Sequence, residues 1–407
     1  MVPKGWASLQ LGKIMSFKNG LNFTKTDNGD SVKIVGVGDF KDFTELTSTE
    51  HLELISVAGR IRDEELLNNG DLLFVRSNGN KDLIGRCMFF PEVRERLSFS
   101  GFTIRGRVIN EGALPAYMAI VARSSQFQTQ ISKASGGTNI SNLSQQILND
   151  INLLLPPLIE QKKIAQILST WDKAISVTEK LLTNSQQQKK ALMQQLLTGE
   201  KRLLDENGVR FSGKWKWLRA AELFKTISQK NNSEDEELLA VTQDLGVIPR
   251  SMLERRVVMP DGTTKGYKLV VSGNFIISLR SFQGGLEYSR YRGLVSPAYT
   301  VLTPIKKIVD EFYMQYYKSY NFIGHLAVAV IGIRDGKQIS YEDFSFLKLP
   351  YPEIEEQQKI ATVLSAADDE IATLEKKLAC LKEEKKALMQ QLLTGKRRVK
   401  VDEAVAA

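Results

Sequence analysis

The sequence is poor in the residues that build metal centres, disulfide frameworks and histidine-dependent active sites. Its 407 residues include two cysteines, Cys87 and Cys380, and two histidines, His51 and His325. A zinc site or a disulfide framework needs more of these residues at recognisable spacings. We therefore expect no metal bound by this chain and no histidine-based catalysis.

Long apolar runs are also missing. No stretch approaches the roughly 18 apolar residues of a membrane span, and the first ten residues, MVPKGWASLQ, lack the charged and then apolar segments of a secretion signal. These absences predict a cytoplasmic protein with no membrane partner. The composition, 42% hydrophobic and 25% charged, is typical of a folded protein. A net charge of +8 favours a polyanionic partner without identifying one.

Motifs of common enzymes are absent as well. The sequence contains no Gly-x-x-x-x-Gly-Lys-Ser/Thr loop, no Gly-x-Gly-x-x-Gly, no Asn/Asp-Pro-Pro-Tyr of adenine methyltransferases and no Gly-x-Ser-x-Gly elbow. We therefore predict that the chain has no catalytic residues and is not an enzyme by itself.

A long segment occurs twice. Residues 160–199 read EQKKIAQILSTWDKAISVTEKLLTNSQQQKKALMQQLLTG, and residues 356–395, at a constant offset of 196, read EQQKIATVLSAADDEIATLEKKLACLKEEKKALMQQLLTG. Apolar residues spaced four and three apart predict a helix with a heptad seam. The seam comprises Ile164, Leu168, Trp171, Ile175, Leu182, Leu192 and Leu196 in the first copy and Ile360, Leu364, Ile371, Leu374, Leu378, Leu381, Leu388 and Leu392 in the second.

The ends of both copies carry helix signals. Proline precedes each first turn, and Gly199 and Gly395 can adopt the left-handed conformation that follows a last turn. Forty residues form a rod of about 60 Å. Because neither rod can bury its stripe alone, we predict that the two pack on each other. The alternative is two ordinary amphipathic helices in tandem domains.

The segments beside the rods predict two globular domains of mixed helix and strand. Strand-like runs cover residues 32–37, 71–75 and 102–108, and a helical stretch covers residues 115–121. Landmarks recur in order at residues 205–350, with Trp6 matching Trp215 and Tyr117 matching Tyr313. The predicted fold is therefore α+β with an internal pseudo-two-fold repeat. Its boundaries are domain one 1–155, helical region 156–199, domain two 200–350, helical region 351–399 and tail 400–407.

Two loops at matching places carry residues suited to DNA. Arginine can grip guanine edges and phosphates, amides can grip adenine edges, and aromatic rings can stack on bases. The candidates are Arg76, Ser77, Asn78, Asn80, Lys81 and Arg86 in the first domain and Arg280, Ser281, Gln283, Tyr288, Arg290 and Arg292 in the second. Each stretch is also compatible with a polar hairpin on a solvated surface.

The order domain, rod, domain, rod, with Glu-Gln-x-Lys-Ile-Ala opening each rod at Glu160 and Glu356, resembles the specificity subunit of type I restriction-modification enzymes over the whole chain. The resemblance implies two target recognition domains that each read half of a bipartite site in double-stranded DNA. It also implies that the rods form an antiparallel coiled coil holding two adenine methyltransferase subunits, which restriction subunits join.

By the same resemblance, S-adenosylmethionine, ATP and Mg belong to the partner subunits, and this chain binds no cofactor. A different class of function is a coiled-coil scaffold whose globular ends bind proteins and do not read DNA. A third is a self-sufficient nuclease or methyltransferase, which the absent motifs disfavour. The arginine-bearing loops at matching positions favour the DNA-reading hypothesis.

Overall fold

The computed structural model describes residues 2–41, 44–134, 142–230, 236–253, 264–279, 281–329 and 339–401. The chain divides into two compact units. The first unit comprises residues 1–178 and 377–407, and the second comprises residues 179–376. Each unit thus contains one globular domain with part of each long helix, whereas the boundaries expected from sequence assigned the helices to regions of their own. Those boundaries stay a prediction.

The described residues in the globular part of the first unit form nine strands and three short α-helices. Its strands are β1 Ala7–Gln10, β2 Met15–Asn19, β3 Lys25–Val35, β4 Leu54–Val57, β5 Leu72–Val75, β6 Cys87–Phe89, β7 Leu97–Phe99, β8 Thr103–Val108 and β9 Asn152–Leu155. Its helices are α1 Pro115–Ala122, α2 Ser125–Ala134 and α3 Gln145–Asp150. An antiparallel sheet has the order β2-β8-β5-β6, a second sheet has the order β4-β3-β7, and β1 pairs with β9.

Strand β5 shows why this sheet forms. All four of its residues are buried, and successive side chains of a strand point to opposite faces. Leu72 and Phe74 join the cluster that includes α1, whereas Leu73 and Val75 join a separate cluster on the other face. The sheet therefore has apolar packing on both sides, which explains why the run from 72 to 75 is continuously apolar.

The second unit repeats this plan. Its strands are β10 Lys216–Arg219, β11 Phe224–Ile227, β12 Leu239–Thr242, β13 Gly246–Pro249, β14 Lys268–Val270, β15 Phe275–Ile277, β16 Glu287–Tyr288, β17 Gly293–Val295, β18 Thr300–Pro304 and β19 Lys348–Tyr351. The sheet order β11-β18-β15-β16 matches that of the first unit, and β10 pairs with β19 as β1 pairs with β9. Tyr117 and Tyr313 are both buried and donate hydrogen bonds to the carbonyls of Leu154 and Pro350. The predicted repeat of the domain plan is confirmed.

The two long repeated helices and the short helices of the second unit complete the fold. The first long helix is α4 Leu158–Leu196, and the shorter helices of the second unit are α5 Ala220–Leu223, α6 Ser281–Gly284, α7 Asp310–Tyr317, α8 Tyr320–Ala329 and α9 Tyr341–Ser345. The second long helix is α10 Ile354–Leu393. Gly199 and Gly395 follow the long helices with φ of 78° and 67°. The predicted helices and their glycine ends are confirmed.

The heptad seam agrees with the burial along α4 and α10. Every apolar seam residue predicted in either helix is buried or half-buried, and Thr178 within the first seam is buried. In the first unit, Ile164 and Leu168 share a hydrophobic cluster with Leu392. In the second unit, Leu196 shares a cluster with Ile360. Each unit therefore buries parts of both helices in one core.

One strand ends earlier than the sequence suggests. The run at 32–37 was expected to be extended throughout, but β3 ends at Val35. The carboxylate of Asp39 accepts a hydrogen bond from the backbone N–H of Gly36 at 2.8 Å, and this contact turns the chain. The prediction for Gly36 and Val37 was therefore wrong.

Within the described residues, no helix has the length and apolar character needed to cross a membrane. The same part of the chain contains no group of three or more histidine, cysteine, aspartate or glutamate side chains placed to hold a metal ion.

Candidate nucleic-acid interface

The loop after β5 is held against the turn before β8. The backbone N–H groups of Arg76 and Ser77 donate to the carbonyl of Phe102 at 2.8 and 3.3 Å, and a guanidinium N–H of Arg76 donates to the carbonyl of Gly101 at 3.4 Å. Arg76 is half-buried, while the ring of Phe102 is 59% exposed. The fold thus places an exposed aromatic ring next to the predicted arginine. Sequence reasoning did not single out Phe102, although its position after Gly101 at a strand start was visible.

Two asparagines of this loop shape the chain. The side-chain oxygen of Asn78 accepts from the backbone N–H of Asn80 at 2.7 Å, and that of Asn80 accepts from Asp82 at 3.1 Å. A bidentate contact to adenine needs the amide oxygen and nitrogen together. Each amide oxygen thus has a turn-forming role within the loop, and contact of these asparagines with adenine stays a prediction.

Two other cations of this loop region reach solvent. Lys81 and Arg86 are both exposed. Arg86 also donates to the carbonyl of Phe40 at 3.4 Å, which ties its side chain to a neighbouring segment. Both stay candidates for contacts to phosphate.

In the second unit, the structure changes the role of some candidates. Arg280 lies outside the described residues. Ser281 is 1% exposed, and its hydroxyl accepts from the backbone N–H of Ser278 at 2.8 Å. Contact of the Ser281 side chain with a base was therefore a wrong prediction, because the hydroxyl is buried and used within the fold. Gln283 is exposed and stays a candidate.

Tyr288 is an anchor for Arg290. The Tyr288 hydroxyl donates to a carboxylate oxygen of Asp310 at 2.9 Å, and its ring centroid lies 5.1 Å from that of Phe275. Burial raises the pKa of Tyr288 to about 12. The hydroxyl proton of Tyr288 is committed to Asp310, and contact of its ring with a base stays a prediction. The guanidinium of exposed Arg290 lies 5.7 Å from the Tyr288 ring centroid, which positions its charge at the surface.

Arg292 is exposed and forms an ion pair with Glu236 at 2.8 Å. This pair partly neutralises its charge, so among the described candidates of the second loop Arg290 is the stronger one for DNA.

The glutamate that opens each repeat forms a latch. In the first unit, Arg398 donates two hydrogen bonds to Glu160, at 2.9 and 2.5 Å, and the indole N–H of Trp6 donates to the same carboxylate at 3.4 Å. The Arg398 guanidinium also stacks over the Trp6 ring at 5.6 Å. The segments around Trp6 and Arg398 are thus both tied to the start of α4.

The second unit contains the same latch. Arg202 donates to Glu356 at 2.5 and 2.7 Å, the indole N–H of Trp215 donates to it at 2.8 Å, and the Arg202 guanidinium lies 5.7 Å from the Trp215 ring centroid. Sequence reasoning identified these glutamates only as the residues that open the Glu-Gln-x-Lys-Ile-Ala segment of each rod. The recurrence of arginine at 202 and 398, at the offset of the repeat, was the signal that could have revealed the latch.

The glutamine beside each glutamate joins helix to domain. Gln161 accepts from the backbone N–H of Leu114 at 2.8 Å and donates to the carbonyl of Pro156 at 2.7 Å. Gln357 accepts from Val309 at 3.0 Å and donates to Pro352 at 2.9 Å. Both glutamines are fully buried, so each satisfies backbone groups that the domain would otherwise bury unpaired.

Ion pairs cross between the long helices where the seams are interrupted by lysine. In the first unit, the ammonium of Lys385 lies 2.5 Å from the carboxylate of Asp172. In the second unit, Lys189 lies 2.5 Å from Asp368. The two pairs are equivalent in the repeat, because Asp172 corresponds to Asp368 and Lys189 corresponds to Lys385 at the offset of 196. Each lysine at a seam position thus has its own acid on the facing helix.

These features define a class of protein with two α+β domains of one topology, each fastened by a Glu-Gln pair to long repeated helices, and with arginines on exposed domain loops. The sequence profile of the type I restriction modification DNA specificity domain matches residues 3–184 and 209–383. The chain belongs to this family.

Known proteins agree with this assignment. The chain is 28% identical to a protein of Methanocaldococcus jannaschii described as the type I restriction enzyme MjaX specificity subunit, with 98% of this chain and 95% of the relative aligned. It is 24% identical to the MjaVIII specificity subunit of the same organism, over 98% of this chain and 94% of the relative. The fold is similar to the type I restriction-modification S subunit from M. genitalium, with a TM-score of 0.57, 13% identity and 95% and 96% of the two chains covered.

Proposed function

We propose that the chain is the non-catalytic, DNA-reading subunit of a cytoplasmic type I restriction-modification enzyme. The observation that carries the proposal is a contrast within the molecule. The latches at Glu160 and Glu356 repeat with the same residue types, whereas the exposed loops after β5 and β15 differ in sequence. A duplicated chain that keeps its helix attachments and varies its loops suits one constant assembly and two different targets.

Each domain reads one half of a bipartite, asymmetric site in double-stranded DNA. Arg76 beside Phe102 in the first domain and Arg290 over Tyr288 in the second are the side chains best placed for this reading. Arginine can donate two hydrogen bonds to the O6 and N7 of guanine, and an exposed aromatic ring can contact a thymine methyl group.

The long helices form an antiparallel coiled coil in this proposal. Support comes from the pairs Asp172–Lys385 and Lys189–Asp368, in which an early residue of one helix meets a late residue of the other. The buried and half-buried seam supports the same arrangement.

The partners of the chain are two adenine methyltransferase subunits and the restriction subunits that join them. S-adenosylmethionine, ATP and Mg act in those subunits in this proposal. The duplicated latches and helices support two equal attachment places, because a repeated surface suits two copies of one partner.

Exchange of one domain tests the DNA-reading role. Residues 1–155 are replaced by those of another family member, the variant is expressed with its methyltransferase, and methylated sites are mapped across the host genome. We expect one half of the target to change and the other half to persist. Unchanged targets would support a scaffold without DNA readout. Methyl transfer by the purified chain alone, with labelled S-adenosylmethionine, would contradict the non-catalytic role.

A further inference from the structure

Helix α7 supports the segment that carries Arg290. Asp310 and Met314 are four residues apart, so they lie on the same face of α7. The carboxylate of Asp310 accepts the hydrogen bond from the Tyr288 hydroxyl at 2.9 Å, and the Sδ atom of Met314 lies 4.0 Å from a guanidinium nitrogen of Arg290. Arg290 is thus in contact with α7 through Met314 and, through the ring of Tyr288, with the first turn of the helix.

The end of α7 is fastened to the same strand. Lys318, four residues after Met314, forms an ion pair with Glu287 of β16 and donates to the carbonyl of Gln243 at 3.2 Å. Glu287 is 3% exposed, so this pair is largely removed from water. Strand β16 and α7 are therefore joined at both ends of the helix, and a displacement of α7 displaces the segment that carries Arg290.

A further hydrogen bond joins α7 to a long helix. The side-chain amide of Gln315, the residue after Met314, donates to one carboxylate oxygen of Asp368 on α10 at 2.7 Å. The other oxygen of Asp368 accepts from Lys189 on α4 at 2.5 Å. A hydrogen bond to an ionised carboxylate is stronger than one between neutral groups. One turn of α7 therefore connects Arg290 to the charge pair between the long helices.

The first unit has a different set of residues at these places. The counterparts of Asp310, Met314, Gln315 and Lys318, at the offset of 196, are Leu114, Met118, Ala119 and Ala122. Ala119 is fully buried and has no side-chain donor for Asp172, the counterpart of Asp368. Within the described residues, this hydrogen-bonded connection from domain helix to long helix is therefore a feature of the second unit alone.

Packing around this turn of α7 is incomplete. A cavity of about 390 Å³ lies beside the turn and is lined by Arg290, Met314, Gln315 and Asp368 among other residues. Such a space leaves room for the turn to shift when a contact is lost. The position of the turn therefore depends on the hydrogen bond between Gln315 and Asp368 as well as on apolar packing.

We infer that Met314 and Gln315 are positioning residues for Arg290. Gln315 fixes α7 to the long helix, and Met314 on the same turn determines where the guanidinium lies. An arginine distinguishes guanine only when its two donors are aligned with O6 and N7 together. Reading of the second half-site thus depends on the attachment of α7 to the long helix, whereas reading of the first does not. The inference rests on the proposed function, in which Arg290 reads DNA.

Replacement of the glutamine tests the inference. Gln315→Ala gives α7 the residue that α1 has at the equivalent place. The variant is assembled with its methyltransferase, and its affinity is measured for the target mapped from methylated sites and for duplexes with one base changed. We expect the preference for the correct second half-site to fall about threefold to tenfold, with the preference at the first half-site unchanged. Met314→Ala should have the same effect.

A double-mutant cycle with Arg290 separates positioning from a general loss of stability. In an Arg290→Ala background, Gln315→Ala should cause no further loss of preference, because Gln315 acts through Arg290. Gln315→Met retains the length of the side chain but cannot donate to Asp368. It should reproduce the effect of Gln315→Ala, and it replaces that variant if the alanine substitution impairs folding.

A matched control lies in the first unit. Gln130 is also a half-buried glutamine, and its side chain donates to the carbonyl of Asn152 at 2.8 Å and accepts from the backbone N–H of Asn152 at 2.9 Å. Gln130→Ala therefore removes comparable hydrogen bonds. It should leave the preference at the second half-site unchanged, even where it lowers the melting temperature as much as Gln315→Ala does.

The outcomes separate the inference from the proposed function. Unchanged preferences in Gln315→Ala, an equal loss at both half-sites, or a loss that persists in full beside Arg290→Ala would each overturn the inference. All three leave the DNA-reading role intact. If Arg290→Ala itself binds every duplex as the wild type does, the role of Arg290 in the proposed function is wrong.

Discussion

At the scale of single residues, the buried carboxylates at the starts of the long helices are central. Glu356 is 1% exposed, and Arg202 and Trp215 satisfy its oxygens. A buried charge is tolerated only when it is paired, and removal of one partner leaves the other charge without compensation. The latch therefore makes attachment of helix to domain depend on a few side chains.

The latch predicts a large effect of a small change. Glu356→Gln retains the shape of the side chain but removes its charge, which leaves Arg202 poorly compensated. We expect unfolding to become easier by about 3–5 kcal/mol, measured by denaturant unfolding. Glu355→Gln, at the exposed neighbouring position, is the control and should change stability by less than about 1 kcal/mol. Equal stability of the two variants would contradict the latch.

A second residue-scale prediction concerns pH. Glu287 is 3% exposed and paired with Lys318, and burial raises its pKa from 4.5 to about 6. The folded state therefore binds this proton more tightly than the unfolded state does. Its contribution to stability is complete below pH 4.5 and is lost as pH rises through about 6.

Between pH 7 and pH 5, we expect wild type to gain about 1 kcal/mol of stability relative to Glu287→Gln. Denaturant unfolding at several pH values measures the difference. Glu342→Gln removes an exposed glutamate and should run parallel to wild type. A constant difference between wild type and Glu287→Gln over this range would show that the pKa of Glu287 is not raised.

The exposed arginines predict different effects on the two half-sites. Arg290→Ala should weaken binding by about 1–3 kcal/mol and relax specificity at one base pair if the side chain contacts guanine. Loss of a phosphate contact should instead weaken all sequences alike. Binding to a panel of single-base variants distinguishes these results, with Arg76→Ala expected to affect the other half.

Arg292→Ala serves as the control for Arg290, because Arg292 is paired with Glu236 and should change affinity less. Unchanged affinity of Arg290→Ala across the whole panel would exclude both kinds of contact.

At the scale of elements, lysines interrupt the heptad seams at Lys189 and Lys385. Each lysine has an aspartate on the facing helix. A polar pair within an apolar seam is known to specify register, because shifted helices would leave both charges unpaired. We therefore propose that these pairs fix the register of the proposed coiled coil.

A charge exchange tests this interpretation. Lys385→Asp or Asp172→Lys alone places like charges together and should cost roughly 1 kcal/mol, a modest value because Asp172 is 43% exposed. The double variant should regain most of the loss, so that a double-mutant cycle yields a favourable coupling energy. Additive losses in the double variant would contradict contact between these residues. The unaltered pair Lys189–Asp368 provides an internal reference.

At the scale of the whole molecule, the chain is a duplicated unit in which repeated helices adjoin diverged domains. If the helices act as a spacer between the two recognition domains, half-sites should be separated by unread bases and lie about one helical turn, ~10 bp, apart from centre to centre.

Insertion of a few residues directly after Gly199 should lengthen the unread gap and leave both half-site sequences intact. Genome-wide mapping of methylated sites measures the gap. An insertion of equal length in the tail after residue 401 is the control and should leave the gap unchanged. A continuous target, or a gap indifferent to the insertion at Gly199, would refute the spacer.

The sequence by itself determined the features that depend on local periodicity. Heptad spacing predicted α4 and α10, glycine predicted their ends, and ordered landmarks predicted two domains of one plan, because these signals lie in neighbouring residues. The strand-like run at 71–75 predicted β5, Leu72–Val75, for the same reason.

Only the tertiary structure decided which polar side chains are used inside the fold. Arg398 contacts Glu160, which is 238 residues away in the sequence, and the hydroxyl of Tyr288 contacts Asp310, which is 22 residues away. Ser281 lies in a stretch whose residue types are typical of a DNA-binding loop, yet its side chain is buried. A polar residue in a loop can bind DNA or satisfy a neighbouring backbone group, and its chemistry is the same in both cases. Contacts between segments distant in sequence make the choice, because they determine which polar groups lose water on folding.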